Sequence, residues 1–251
     1  MLDRCRVPYG VESVAATETV AGVDVGRVLH VVIRDAPARP IYSAPVPLRP
    51  VPEYMIDRDT GRPPRGAYPE YWPEPRPATP AQPSAPGRLR YAGELDSFEE
   101  LAALCAQYRV RICVVDSAPE TRSVVQFARR MRGSTTTVLM ARYDRSDSAI
   151  ERATEGDVGC LHCDRTYVLD MMLESFRDGS AQLPLDARQL GGRGRKGFGE
   201  YYRQLQAPKR VIEKDARGIS VARWINSADD HYAHNSSRLR QRVLCPHRIP
   251  L

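Results

Sequence analysis

Fifteen of the chain's 21 prolines fall within residues 36 to 87, and this crowding decides how the remainder must be read. Proline lacks a backbone N–H and fixes φ, so such a stretch propagates neither a helix nor a central strand. It is expected to be an extended, disordered insertion. Its aromatic residues Tyr54, Tyr68, Tyr71 and Trp72 could dock a partner from a polyproline-like backbone. The flanking residues must then supply the fold, with a lead-in over residues 1 to 19, a domain over 20 to 234 that the insertion interrupts, and a tail over 235 to 251. Apolar residues make up 42% of the chain, enough for a packed core. No apolar run approaches the ~18 residues that a membrane span requires, so no membrane association is expected. The opening MLDRCRVPYG has no apolar stretch of the kind that directs export, which predicts a cytoplasmic protein with six reduced cysteines.

Outside the insertion, strand and helix signals alternate. Residues 20 to 26 and 28 to 34 are short Val-rich runs broken at Gly26, read as two strands joined by a tight turn. Residues 88 to 95 give a third strand. Ser97 and Glu100 form a capping box ahead of apolar residues at helical spacing, and residues 110 to 115 are an apolar run too short for a helix, read as a strand. Ser117 and Glu120 make a second capping box around Pro119, which predicts another helix. A fifth strand is read over 136 to 141. Asp164 opens a helix with the stripe Leu169, Met172, Leu173 and Phe176, closed at Gly179. Residues 208 to 225 read as a hairpin turning at 215 to 218, and a last helix begins after Ser227. This order predicts an α/β fold, a mixed sheet with flanking helices.

Three acidic positions carry the chemistry. Asp24 lies mid-strand in Ala21-Gly22-Val23-Asp24-Val25-Gly26, where alternation puts it on the face opposite Val23 and Val25. A carboxylate in an apolar strand costs several kcal/mol unless a cation, a hydrogen-bond network or water compensates it. Asp116 follows Val110 to Val115 at the carboxyl end of the strand, where α/β proteins commonly bind ligands. It would equally suit a strand-to-helix turn. Asp229 and Asp230 start the last helix, where N-capping is the ordinary role. Taken together, converging hard oxygen ligands suit Mg²⁺ or Mn²⁺ and metal-dependent phosphoryl chemistry.

These residues, with Leu29 to Ile33, Ser97 to Leu101, Pro119-Glu120-Thr121-Arg122, Asp164-Arg165-Thr166, Val221 to Trp224 and Asp230-His231-Tyr232-Ala233-His234, occur in an order that resembles the nuclease domain of tailed-phage terminase large subunits. The similarity covers roughly residues 21–35 and 88–234. It implies a ribonuclease H-like fold and an endonuclease that cuts concatemeric phage DNA during packaging. It also implies two Mg²⁺ or Mn²⁺ ions held by Asp24, Asp116 and Asp230, with Asp229 an adjacent candidate ligand. The sequence contains no G-x-x-x-x-G-K-[ST] run. A separate packaging ATPase, a small terminase subunit, a portal and double-stranded DNA are therefore the expected partners. Two other readings share the residues: a junction resolvase or transposase-like nuclease of the same fold, and a silent remnant that binds DNA or docks without cutting.

The net charge of +6 is localised. Residues 184 to 214 carry a net +5 and residues 235 to 251 a further +4, so the rest is acidic. Arg193, Arg195 and Lys196, spaced by glycine, suit contacts to a DNA phosphate backbone. Cys160-Leu161-His162-Cys163 has the spacing of a zinc knuckle that Cys245 and His247 could complete. Against that, the second pair lacks standard spacing, and Cys105 and Cys113 sit in apolar patterns, where cysteine serves as a small apolar residue. His231 and His234 could add a nitrogen ligand or orient an acid.

Overall fold

Two N-caps set the helix starts as the sequence predicts. Ser97 Oγ accepts the Glu100 N–H at 3.2 Å, and the Glu100 carboxylate accepts the Asp96 N–H at 2.9 Å, starting α1 (Phe98–Gln107). Asp164 accepts the Tyr167 N–H at 2.6 Å, starting α3 (Arg165–Arg177). The expected box at Ser117 and Glu120 does not form. Ser117 Oγ and its N–H both donate to the Ala141 carbonyl at 3.1 Å, and α2 begins after Pro119, over Thr121–Arg130. Ser117 is buried at the end of a strand, where a bond to the neighbouring strand satisfies it better than a solvent-facing cap.

The computed structural model describes residues 1–9, 18–36, 87–145, 150–192, 199–214, 218, 220–226, 228–233 and 236. The chain divides into two units, Met1–Pro37 with Pro86–Leu251, and Ala38–Ala85. The second unit, which holds most of the proline-rich insertion, lies outside the described residues, as do the basic residues Arg193, Arg195 and Lys196 and nearly all of the tail.

In the first unit β2 (Thr19–Val25), β3 (Leu29–Asp35) and β4 (Gly87–Leu95) form an antiparallel meander. β5 (Val110–Asp116) pairs parallel with the other side of β2, β6 (Thr137–Arg145) parallel with β5, and β8 (Val158–Asp164) parallel with β6. β7 (Ile150–Glu155) closes that edge, antiparallel to β8. At the opposite edge β9 (Ala181–Pro184) pairs parallel with β4, and β1 (Arg6–Val7) with β9. The nine-stranded order is β1-β9-β4-β3-β2-β5-β6-β8-β7. The hairpin β10 (Pro208–Lys214) and β11 (Ser220–Asn226) forms a separate two-stranded sheet, as the sequence predicts. It reaches α3 through Asp170, whose carboxylate accepts bonds from Arg210 Nε at 3.1 Å and Trp224 Nε1 at 3.0 Å.

Strand alternation sorts the core onto two faces. Val23, Val25, Val31, Cys113 and Val115 pack with α1 and α2, burying Leu101, Val124 and Phe127. On the other face Val20 and Val32 pack with Leu169, Met172 and Phe176 of α3 and with Tyr201 and Leu205 of α4 (Glu200–Leu205). Leu2 and Cys5, ahead of β2, are buried in this second cluster, so the first residues contribute to the core. Five cysteines, Cys5, Cys105, Cys113, Cys160 and Cys163, are buried free thiols. Among the described residues no helix is long and apolar enough to cross a membrane.

One loop that reaches α4 gives a direct test of packing. Gly191 has φ +90°, and a Cβ there would lie 2.5 Å from the Tyr201 backbone N, whereas Gly133 has φ +80° and open space around it. Gly191→Ala is expected to cost about 3 kcal/mol from left-handed strain plus the backbone clash, and Gly133→Ala about 1 kcal/mol from strain alone. Thermal unfolding of the two variants checks this ordering, and equal losses would mean that the loop does not press on α4.

Candidate metal centre

Hairpin geometry brings the first candidate ligands together. β2 and β3 pair so that Asp24 lies opposite His30, and β3 and β4 so that His30 lies opposite Glu94. Val23 pairs with Val115 across β2 and β5, so Asp116, the next residue, follows beside Asp24 at the strand end. A polar row of Glu94, His30, Asp24 and Asp116 thus crosses four adjacent strands on the face opposite Val23. Neighbouring strands are spaced by about 4.8 Å, so Asp24 and Asp116 stand side by side.

Residues 231–233 are helical and face this row. His231 Nδ1 is 2.6 Å from Asp24 Oδ2, and the His231 ring stacks on His30 with centroids 4.2 Å apart and planes 12° off parallel. The Tyr232 ring meets His30 edge-on at 5.3 Å. Tyr232 is held in turn, since its backbone N–H donates to Gln204 Oε1 at 3.2 Å and its hydroxyl accepts the Gly192 N–H at 3.0 Å. Its side chain is fully buried against Tyr201, so the segment is anchored by packing as well as by hydrogen bonds.

Electrostatics divides the two imidazoles. Burial first, and the neighbouring His231 second, push His30 down to about 4, so it is neutral at neutral pH. The Asp24 hydrogen bond holds His231 above its ordinary value against the opposing effect of burial. A neutral imidazole is the form that ligates metals, and the ligand atoms of Asp24, His30 and His231 all lie within 4.8 Å of one another.

The four acids named from sequence take different places. Asp24 is at the centre of the cluster. Asp116 is its neighbour by register, and its Oδ1 accepts the Ala118 N–H at 3.1 Å, the turn role that its position also suits. Asp230 is buried, and its Oδ2 accepts Arg165 Nη2 at 3.0 Å, while the same guanidinium donates to the Trp224 carbonyl at 3.1 Å. Asp229 is exposed and acts on both histidines through space. Asp24 therefore shares its immediate ligand group with two histidines, and Asp116, Asp229 and Asp230 are outside that group. His234 lies outside the described residues.

His30 and Arg165 have roles that the sequence reading did not assign. His30 was legible in principle, because a hairpin pairing Val25 with Leu29 necessarily pairs Asp24 with His30. Arg165 gave no comparable signal, since nothing local to Asp164-Arg165-Thr166 says which distant acid it meets. Of the basic residues in the segment 184 to 214, Arg188 pairs with Asp3 at 2.8 Å, Arg210 pairs with Asp170 at 3.1 Å, and Arg203 pairs with Glu200. These three cations serve intramolecular contacts.

A carboxylate oxygen beside an imidazole nitrogen suits Mn²⁺ better than Mg²⁺, which prefers an all-oxygen shell. His231 Nδ1 is engaged by Asp24 and its ring lies flat on His30, so Asp24 and His30 are the donors placed to meet one ion and His231 orients the carboxylate. A second ion would draw on Asp116, the one acid beside Asp24 in the sheet. Compared with protein-family models, curated proteins and solved structures, the chain matches none.

Proposed function

We propose that this chain is a divalent-metal-dependent DNA endonuclease with a ribonuclease H-like fold, similar to the nuclease module of a phage packaging motor. The observation that carries the reading is the position of Asp24, next to last on β2, flanked in the sheet by His30 and Asp116 and capped by His231. The mixed sheet supports it as well, with an antiparallel meander continued by parallel strands from its first member. Bound Mn²⁺ or Mg²⁺ would activate water and stabilise the leaving oxygen of a phosphodiester. Asp24 and His30 would hold the ion, and Asp116 would extend the ligand row toward a second. His231, hydrogen-bonded to Asp24, fixes the direction in which that carboxylate presents its oxygens. Asp230 and Arg165 keep the 231–233 segment in position. The basic residues Arg193, Arg195 and Lys196 would bind the DNA backbone. A packaging ATPase, a small terminase subunit and a portal would be the partners under this reading.

Supercoiled plasmid tests the proposal with the purified full chain. The expected result is conversion to nicked circles in Mn²⁺, slower conversion in Mg²⁺, and none in EDTA. Equal nicking with and without metal, or none under any condition although Mn²⁺ raises the melting temperature, would remove the nuclease reading. The second outcome would leave a metal-binding protein without this activity.

A further inference from the structure

The spacing Cys160-Leu161-His162-Cys163 has no part in the Asp24 site. All four residues lie on β8, where side chains alternate between faces. Cys160 and Cys163, three positions apart, therefore point to opposite sides of the sheet. Cys160 is buried in the cluster that packs with α1 and α2, and Cys163 in the cluster that contains Val168 of α3. A knuckle using both thiols cannot close on one ion. Cys160 and His162, two apart, share a face, and Glu155 at the end of β7 joins them across the β7–β8 hairpin.

We propose that Glu155, Cys160 and His162 form a zinc site on the face of the sheet opposite Asp24. Their ligand atoms all lie within 4.8 Å of one another. Bonds of about 2.0 to 2.3 Å to a central Zn²⁺ bring ligands in a tetrahedron to roughly 3.5 Å apart, so closure needs only small side-chain rotations. The neighbouring residues favour the same ion. His162 Nδ1 is 2.7 Å from Asp144 Oδ2, an arrangement in which the carboxylate fixes the tautomer and leaves Nε2 as the ligating atom. Nε2 already lies 4.0 Å from Glu155 Oε1. Arg142 Nη2, at 2.9 Å from Glu155 Oε2, holds one carboxylate oxygen and leaves the other toward His162.

Charge closes the argument. Glu155, Asp144 and Glu151, the last opposite His162 on β7, contribute three negative charges and Arg142 one positive, an excess of two negative charges before any ion enters. Zn²⁺ with a Cys160 thiolate, whose proton leaves to solvent, lowers that excess to one. A sulfur, a nitrogen and an oxygen donor together select Zn²⁺ over Mg²⁺ or Ca²⁺, and the fourth position is left to water. Structurally the ion would tie the edge strand β7, whose polar sequence Ile150–Glu155 buries little, to β8.

Cobalt reports on the site directly. The full chain, stripped with chelator and returned to chelator-free buffer, is titrated with Co²⁺ and followed by absorbance. The expected result is one equivalent giving a thiolate-to-cobalt charge-transfer band and the visible bands of a tetrahedral site, with Zn²⁺ displacing it and raising the melting temperature. Cys160→Ser should abolish the charge-transfer band. His162→Gln, at a partly exposed position that tolerates substitution, should weaken Co²⁺ binding at least ~10-fold, and Asp144→Asn by roughly 10- to 100-fold. Cys163→Ala and Asp24→Asn should keep the band at full intensity, which separates this site from the nuclease reading. No charge-transfer band in the wild-type chain would overturn the proposal. So would a band that survives His162→Gln unweakened, or one that is lost in Cys163→Ala or Cys245→Ala.

Discussion

Asp24→Asn is expected to lower Mn²⁺-dependent plasmid nicking by roughly 10³-fold, equivalent to about 4 kcal/mol of lost transition-state stabilisation. The substitution keeps the side-chain volume, and the amide oxygen can still accept a bond from His231 Nδ1, which lies 2.6 Å from the present carboxylate. What it removes is the negative charge, and with it the only anionic ligand in the group of Asp24, His30 and His231. Folding should be nearly unaffected, because the surrounding β2 residues Val23 and Val25 make their contacts on the other face. DNA binding in EDTA should be unchanged or slightly tighter, since a charge repelling phosphate has gone. Nicking and gel-shift assays on one preparation separate these effects. Activity retained at the wild-type level, with contaminating nuclease excluded by a second purification, would contradict the mechanism.

The basis of this prediction was legible in the sequence because it rests on a short-range rule. A strand of period two with Val23 and Val25 on one side must put Asp24 on the other, and tertiary structure does not change that parity. The caps at Ser97 and Asp164 were legible for a similar reason, since a side chain reaching an N–H three residues on depends on little else. Ser117 carries an equally good local pattern, yet the Ala141 carbonyl on an adjacent strand captures it. Local rules fail where a long-range partner offers the same group a better bond.

The missed elements have a different cause. β7 reads Ile-Glu-Arg-Ala-Thr-Glu, an edge strand with little buried surface and therefore almost no apolar alternation to detect. β9 and α4 have four and six residues, too short for periodicity to stand out. The Cys160–Cys163 spacing misleads in the opposite way. Two intervening residues suit chelation from a turn, but the same interval on a strand separates the two thiols across the sheet. Once β8 is recognised as a strand, His162 and not Cys163 is the companion of Cys160.

The second large effect separates two adjacent acids. Asp230→Asn is expected to cost about 2 kcal/mol of stability and to reduce nicking at least ~10-fold, whereas Asp229→Asn should leave both within a few-fold of wild type. Asp230 is buried against the Arg165 guanidinium, and breaking a buried pair strands the remaining charge. The Arg165 side chain is 34% exposed, so water recovers part of that cost, which is why the estimate falls below the usual penalty for a fully buried pair. For a domain of this size the loss corresponds to a melting temperature lower by roughly 4 to 8 °C. Activity falls for a positional reason, because Asp230 directly precedes His231, whose ring lies on His30 and whose Nδ1 meets Asp24. Arg165→Gln should reproduce both losses. The double variant should lose less than the sum of the two single ones, since each removes the same contact. Asp229, exposed at the start of the segment, touches the histidines only through space and has solvent to screen it. If Asp229→Asn proved the more damaging of the two, the metal row would have to extend toward the exposed acid instead of the buried one, and the positioning role of Arg165 would fall with it.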